Sequence, residues 1–153
     1  MTELNMDEKV TVVNIAAWDV GFPNLTKAGD TTIAPYGKTR MRREEIEAQV
    51  MNGNRLFNGI DHKGSHATLL IQDAPTRAYL EFDTDTEKQV VLTDEKIKAW
   101  FELKTFKSFE KNIRENVITM AEKSYLLNAI KRMKFDSYEK VSFCQEYCKF
   151  KLF

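Results

Sequence analysis

The sequence predicts an α+β protein in two parts: a small antiparallel β domain with one short helix, then an all-helical tail of about four short helices. Three observations predict it. Between residues 9 and 92, β-branched and partly alternating runs are separated by turns rich in Gly, Pro and Asn. From Thr93 onward neither Gly nor Pro occurs. In that same stretch four capping residues each precede an apolar stripe at helical spacing. The expected divisions are residues 1–8, polar and without structure, 9–92 as the β-rich domain, and 93–153 as the helical domain.

Residues 9–18 (KVTVVNIAAW) read as the first strand. Residues 31–33 and 38–41 read as two short strands around a turn containing Pro35 and Gly37, residue types that tight turns demand. Residues 43–51 (REEIEAQVM) form the one expected helix of this part. Glu44 and Glu45 sit in its first turn, where the helix dipole favours acids, and Gly53 lies just past its end. Residues 66–72 and 77–82 then read as a hairpin around Asp73-Ala74-Pro75-Thr76, and 88–92 as a last strand.

In the tail, Thr93 and Thr105 are expected caps, and Thr119 with Glu122 fits a capping box. Asp136 with Glu139 fits another. Behind these caps stand Ile97 and Trp100, then Phe106 and Phe109, then Leu126 and Ile130, then Val141 and Cys144. Trp100, Phe101, Phe106 and Phe109 are read as bundle core rather than as a ligand groove.

Composition excludes several classes. At 153 residues, with 42% hydrophobic and 30% charged side chains, the chain folds and is not low-complexity. Its net charge of zero hides a split: residues 1–92 carry 14 acids and 10 bases, residues 93–153 carry 9 acids and 13 bases. That imbalance is too small for a dedicated nucleic-acid arm. It would allow copies of the chain to attract one another. The polar start lacks a signal-peptide pattern, and no run approaches the roughly 20 apolar residues of a membrane span. The only cysteines, Cys144 and Cys148, lie one helical turn apart and read as structural thiols of a reducing compartment.

No catalytic, cofactor or metal site is expected, and no small-molecule substrate is implied. His62 and His66, with Asp61, are the only histidines, but Gly64 and Ser65 separate them in a loop rather than on one helix face. Asn52-Gly53-Asn54 and Asn58-Gly59 follow a helix instead of preceding one, unlike phosphate-binding loops. The candidate contact residues are Arg40, Arg42 and Arg43, on a strand where Lys38, Arg40 and Arg42 share a face, together with Phe150 and Phe153 at an apolar end. The loop at residues 21–30 is a further candidate surface.

The segments RREEIEAQV, GNRLFNGID and GSHATLLIQD, after a strand opening, resemble small uncharacterised proteins of tailed bacteriophages and prophages. The resemblance covers residues 10–82, about half the chain, and carries no motif of known chemistry. It implies a non-enzymatic virion accessory component, capsid- or head-associated, whose partners are other virion proteins or copies of itself, found in the host cytoplasm before assembly. The competing expectation is an intracellular regulatory module whose helical tail grips a protein or nucleic acid through Lys131, Arg132 and Lys134. A hydrolase centred on His62 and His66 is the third and weakest.

Overall fold

The computed structural model describes residues 4–149 and divides into two compact units, Met1–Val91 and Leu92–Phe153. The class is α+β, with antiparallel sheets confined to the first unit. Seven helices occur among the described residues, three of them in the first unit where one was expected.

In the first unit β1 (Lys9–Asn14) is the centre of a three-stranded antiparallel sheet, flanked by β4 (Lys38–Arg42) and β5 (Leu69–Ile71). Lys9 lies opposite Arg42 and Val13 opposite Lys38, while Val12 lies opposite Ile71. Alternation along β1 buries Val10, Val12 and Asn14 and turns Lys9 outward. The strands expected at 31–33 and 38–41 both form, but do not pair with each other. β3 (Asp30–Ile33) pairs with β2 (Val20–Pro23), and the turn at 34–37 carries the chain across to the other sheet.

The core of this unit gathers Ile15, Ile33, Met41, Ile46, Phe57 and Leu69, with Phe22 and Phe57 edge to face at 5.6 Å. Asn14 is fully buried, and its amide satisfies otherwise orphaned backbone: Nδ2 lies within 3.1 Å of the carbonyls of Trp18, Ile33 and Ala34, and Oδ1 accepts from Ala16 N–H.

Three expectations are overturned here. Residues 77–82 are not a strand. Asp73 accepts from the Thr76 N–H with Pro75 in the first turn, so the segment starts a helix, α3 (Ala74–Tyr79). Residues 88–92 form no strand; the Val90 N–H donates to Ser65 Oγ, the His66 N–H donates to the Val90 carbonyl, and Gln89 donates to Asp83 and the Gly64 carbonyl. Residues 5–8 are not loose. Asn5 O accepts from Arg43, and Met6 O and Glu8 O accept from the Glu44 and Arg43 N–H groups, which closes the start of α1 (Arg43–Met51). That closure supplies what the missing side-chain cap at Arg42 does not. A short helix, α2 (Arg55–Asn58), follows, capped by Asn54.

The second unit contains α4 (Asp94–Phe101), α5 (Phe106–Asn116), α6 (Met120–Met133) and α7 (Tyr138–Tyr147). Thr93, Thr105 and Thr119 cap the first three through their hydroxyls, and Thr119 with Glu122 completes a reciprocal capping box. The box expected at Asp136 does not form: α7 starts one residue later, at Tyr138, with Ser137 as its N-cap and no side-chain cap hydrogen bond. Phe109, Ile113, Leu126 and Cys144 lie at the centre of the core, surrounded by an aromatic cluster in which Phe101 stacks on Phe135 at 4.1 Å. Lys140 Nζ donates to the carbonyls of Phe101 and Leu103, filling acceptors left open at the end of α4. Among the described residues, no helix is long and apolar enough to cross a membrane.

Candidate binding site

β4 stands at the edge of its sheet, and its main-chain groups alternate in direction. Asn14 N–H bonds to Gly37 O and Arg43 N–H bonds to Glu8 O, so the odd-numbered residues of β4 face β1. The N–H and C=O groups of Lys38, Arg40 and Arg42 therefore turn to the open edge. The side chains of these three residues share the exposed face, as strand alternation requires.

Arg43, expected among the contact residues, is instead only 5% exposed. As the first residue of α1 it no longer follows strand alternation, and its guanidinium turns inward. Nε donates to Thr76 Oγ1 at 2.9 Å, Nη2 to Asp73 Oδ2 at 2.9 Å and Nη1 to Asn5 O at 3.1 Å. Burial works to raise the Asp73 carboxyl, but hydrogen bonds from Thr76 and Arg43 outweigh it and hold the group below the usual carboxylate range. Arg43 is a structural tie and is withdrawn from the contact surface. Phe150 and Phe153 lie outside the described residues.

A cleft of about 120 Å³ opens along β4. Thr39, Arg40, Met41 and Arg42 form one wall, Thr26, Lys27 and Thr31 of the β2–β3 hairpin another, and Lys9, Glu44 and Glu45 complete it. Glu45 organises this wall. Its carboxylate accepts from Leu25 N–H and Thr26 N–H at 3.0 and 2.9 Å, from Thr26 Oγ1 at 2.7 Å and from Gln49 Nε2 at 2.8 Å. Burial would raise its pKa; the bonds from Thr26, Leu25 and Gln49 lower it below the usual range. A carboxylate so fully engaged holds the hairpin loop in place and has little capacity left for a ligand.

The remaining charges are unequal. Lys9, Lys27, Arg40 and Arg42 face one further carboxylate, Glu44, which reaches Arg42 only at 3.7 Å with both side chains solvated. Lys9 sits directly opposite Arg42 in a pair that is not hydrogen-bonded, the closer of the two antiparallel spacings. Like charges placed so are destabilising. Sequence reading found Arg40 and Arg42 and marked the loop that carries Lys27 without naming that residue, but missed Lys9. Lys9 joins them only through strand register, and Lys27 only through the position Glu45 imposes on its loop.

No family model matches the chain, and no curated protein or solved structure is similar to it.

The other candidates are built differently. His62 and His66 both adopt positive φ, 63° and 60°, in a loop pinned by Asp61, whose Oδ1 accepts from the Lys63 and Ser65 N–H groups. Among the described residues, no group of three His, Cys, Asp or Glu side chains could hold a metal. Cys144 and Cys148 are free and buried, and burial pushes both thiols up to about 12. Arg132, expected as a tail contact, is engaged by Asp94 at 3.1 Å and lies over the Tyr125 ring. Lys131 and Lys134 are exposed. The loop after β2 also borders a shallower depression lined by Phe22, Leu25, Gln49 and Leu56.

Proposed function

We propose that this protein is a non-enzymatic accessory component of a tailed-phage particle, capsid- or head-associated, working through protein–protein contacts. The observation that carries the contact reading is the sheet edge of the first unit. Lys38, Arg40 and Arg42 line its exposed side, and their main-chain groups have no strand beside them. Natural proteins cover such an edge, shorten and bend it, or guard it with charged side chains; here the guarding charges are all of one sign, which also makes the edge selective for an acidic partner. The perturbed carboxylates support the same reading. Glu45, Asp61, Asp73, Asp83 and Asp94 all lie below their usual pKa, and each is held by hydrogen bonds that close a loop, cap a helix or pair with an arginine. These are groups set for permanent ionisation, whereas proton transfer needs a group poised near the working pH. The phage assignment rests on the resemblance of residues 10–82.

The test is the composition of particles of the phage that encodes the chain. Quantitative mass spectrometry should find it at a fixed ratio to the capsid protein through successive density-gradient steps. Loss during purification, with the protein recovered only from the host lysate, would refute the virion role.

A further inference from the structure

We propose that the cleft beside β4 receives an acidic, extended segment of a partner protein. The segment adds as a strand along the open edge and sets its carboxylates among Lys9, Lys27, Arg40 and Arg42. This inference rests on the reading of the first unit as a protein-contact surface and names what that surface takes.

Three features of the site select this ligand. The first is charge. Four cations surround the opening, the Glu45 carboxylate is consumed by the 24–29 loop, and the Lys9–Arg42 juxtaposition is relieved by an anion set between them. The second is period. The outward cations of β4 recur at every second residue, about 6.8 Å apart, which is also the repeat of side chains on an added strand. The main-chain groups of Lys38, Arg40 and Arg42 supply the ladder such a strand needs. The third is lining. The walls carry the hydroxyls of Thr26, Thr31 and Thr39 but no aromatic ring on which a base could stack, and the volume suits a carboxylate with a few waters. A polypeptide acid meets all three conditions, and a nucleic acid meets only the first.

The experiment uses the full chain and a fluorescein-labelled, end-blocked pentapeptide alternating glutamate with valine, read by fluorescence anisotropy at low salt. A second peptide replaces valine with proline, keeping the charge but removing alternate N–H donors and the strand geometry. The valine peptide should bind, and the proline peptide should bind at least about tenfold more weakly because the ladder is lost. Reversing one rim charge, Lys27→Glu in the exposed loop or Arg40→Glu on the strand, should weaken binding about tenfold. Lys131→Glu in the helical unit should leave it unchanged. Thermal midpoints confirm folding, and Lys27→Glu serves if Arg40→Glu does not fold, since Arg40 also donates to Lys9 O.

Equal binding of the two acidic peptides would overturn the strand-addition proposal. So would tighter binding of oligothymidylate than of the valine peptide, or concentration-dependent self-association that Lys27→Glu abolishes. If neither peptide binds while the chain is still stoichiometric in particles, this inference fails and the contact reading stands. Absence from particles refutes the virion role whatever the peptides do.

Discussion

Arg42 and Arg43 are neighbours of identical chemistry on either side of a strand–helix junction, and they should differ sharply in what they contribute to folding. Arg43 is buried and donates to Thr76, Asp73 and Asn5, with Glu8 a further ion-pair partner at 3.4 Å. Removing one partner of a buried pair typically costs about 3–5 kcal/mol. The Asp73 and Glu8 side chains are 24% and 54% exposed, so water recovers part of that loss. For Arg43→Met, which keeps the apolar stem, about 2–3 kcal/mol remains. Arg42 meets Glu44 at 3.7 Å with both side chains solvated, so Arg42→Met should cost about 0–0.5 kcal/mol. Removing the repulsion from Lys9 offsets part of that cost.

Each unit contains one tryptophan, Trp18 in the first and Trp100 in the second, so a Trp100→Phe background isolates the first unit by fluorescence. With a urea dependence of about 1 kcal/mol per M for a unit this small, the Arg43 variant should lower the midpoint by about 2 M and the Arg42 variant by less than about 0.5 M. In an Asp73→Asn background the Arg43 substitution should cost less, by about 1–2 kcal/mol of coupling. Equal midpoints for the two arginine variants would refute the assignment of Arg43 to the interior and return it to the contact surface.

Acid should weaken the first unit more steeply than the second. Glu45, Asp61, Asp73 and Asp83 in the first, and Asp94 alone in the second, have folded pKa values below their unfolded ones. The stability each supplies is fully present above about pH 5 and is lost as pH falls through the lowered folded value. Urea midpoints of the Trp18 and Trp100 signals between pH 6 and 3 check this, and parallel slopes would contradict it. Gly64→Ala should cost at least about 2 kcal/mol, because the new Cβ would lie 2.6 Å from the Phe82 ring and 2.7 Å from Gln89 Nε2 at a φ of +83°; a thermal melt matching the parent would exclude that packing. Cys144 and Cys148 should resist a thiol reagent in native buffer and react only as the helical unit opens, since both thiolates are disfavoured by burial. Rapid native labelling would mean that α7 is not packed as described.

The helical unit was largely legible in the sequence because its signals are local. A threonine hydroxyl and an N–H three residues on belong to the same turn, so Thr93, Thr105 and Thr119 announce their helices without tertiary knowledge. The exception is at Asp136, where Ser137 takes the N-cap position without a side-chain hydrogen bond. The first unit was legible only in outline. Residues 77–82 alternate well enough to read as a strand, and Asp73 with Pro75 carries the residue types of a hairpin loop as well as those of the helix start it forms. Arg43 could not be assigned because its partners come from residues 5, 8, 73 and 76, which only folding brings together. For the candidate site the sequence offered two of the four cations by name and the loop of a third, Lys27. Lys9 and Lys27 carry no local mark, being placed by cross-strand register and by the Glu45 bonds to the hairpin loop.

The Lys9–Arg42 pair is the point at which folding and function can be told apart. Elsewhere in the first unit the more buried arginines are matched by acids: Arg43 has Asp73, and Arg77 has Asp83 at 2.8 Å. A sheet selected only for stability would place an acid opposite Arg42, since an opposite-charge cross-strand pair is worth roughly 0.2–1 kcal/mol and a like pair costs a similar amount. Local choices that conflict with an otherwise consistent fold concentrate where a surface is kept for a ligand. Substituting Lys9→Glu therefore separates the two demands. It should raise the stability of the first unit by about 0.5–1 kcal/mol in the urea assay while weakening capture of the acidic peptide about tenfold. A variant that gained stability and still bound the peptide undiminished would show that the cations of this edge serve solubility, and that the contact lies elsewhere on the molecule.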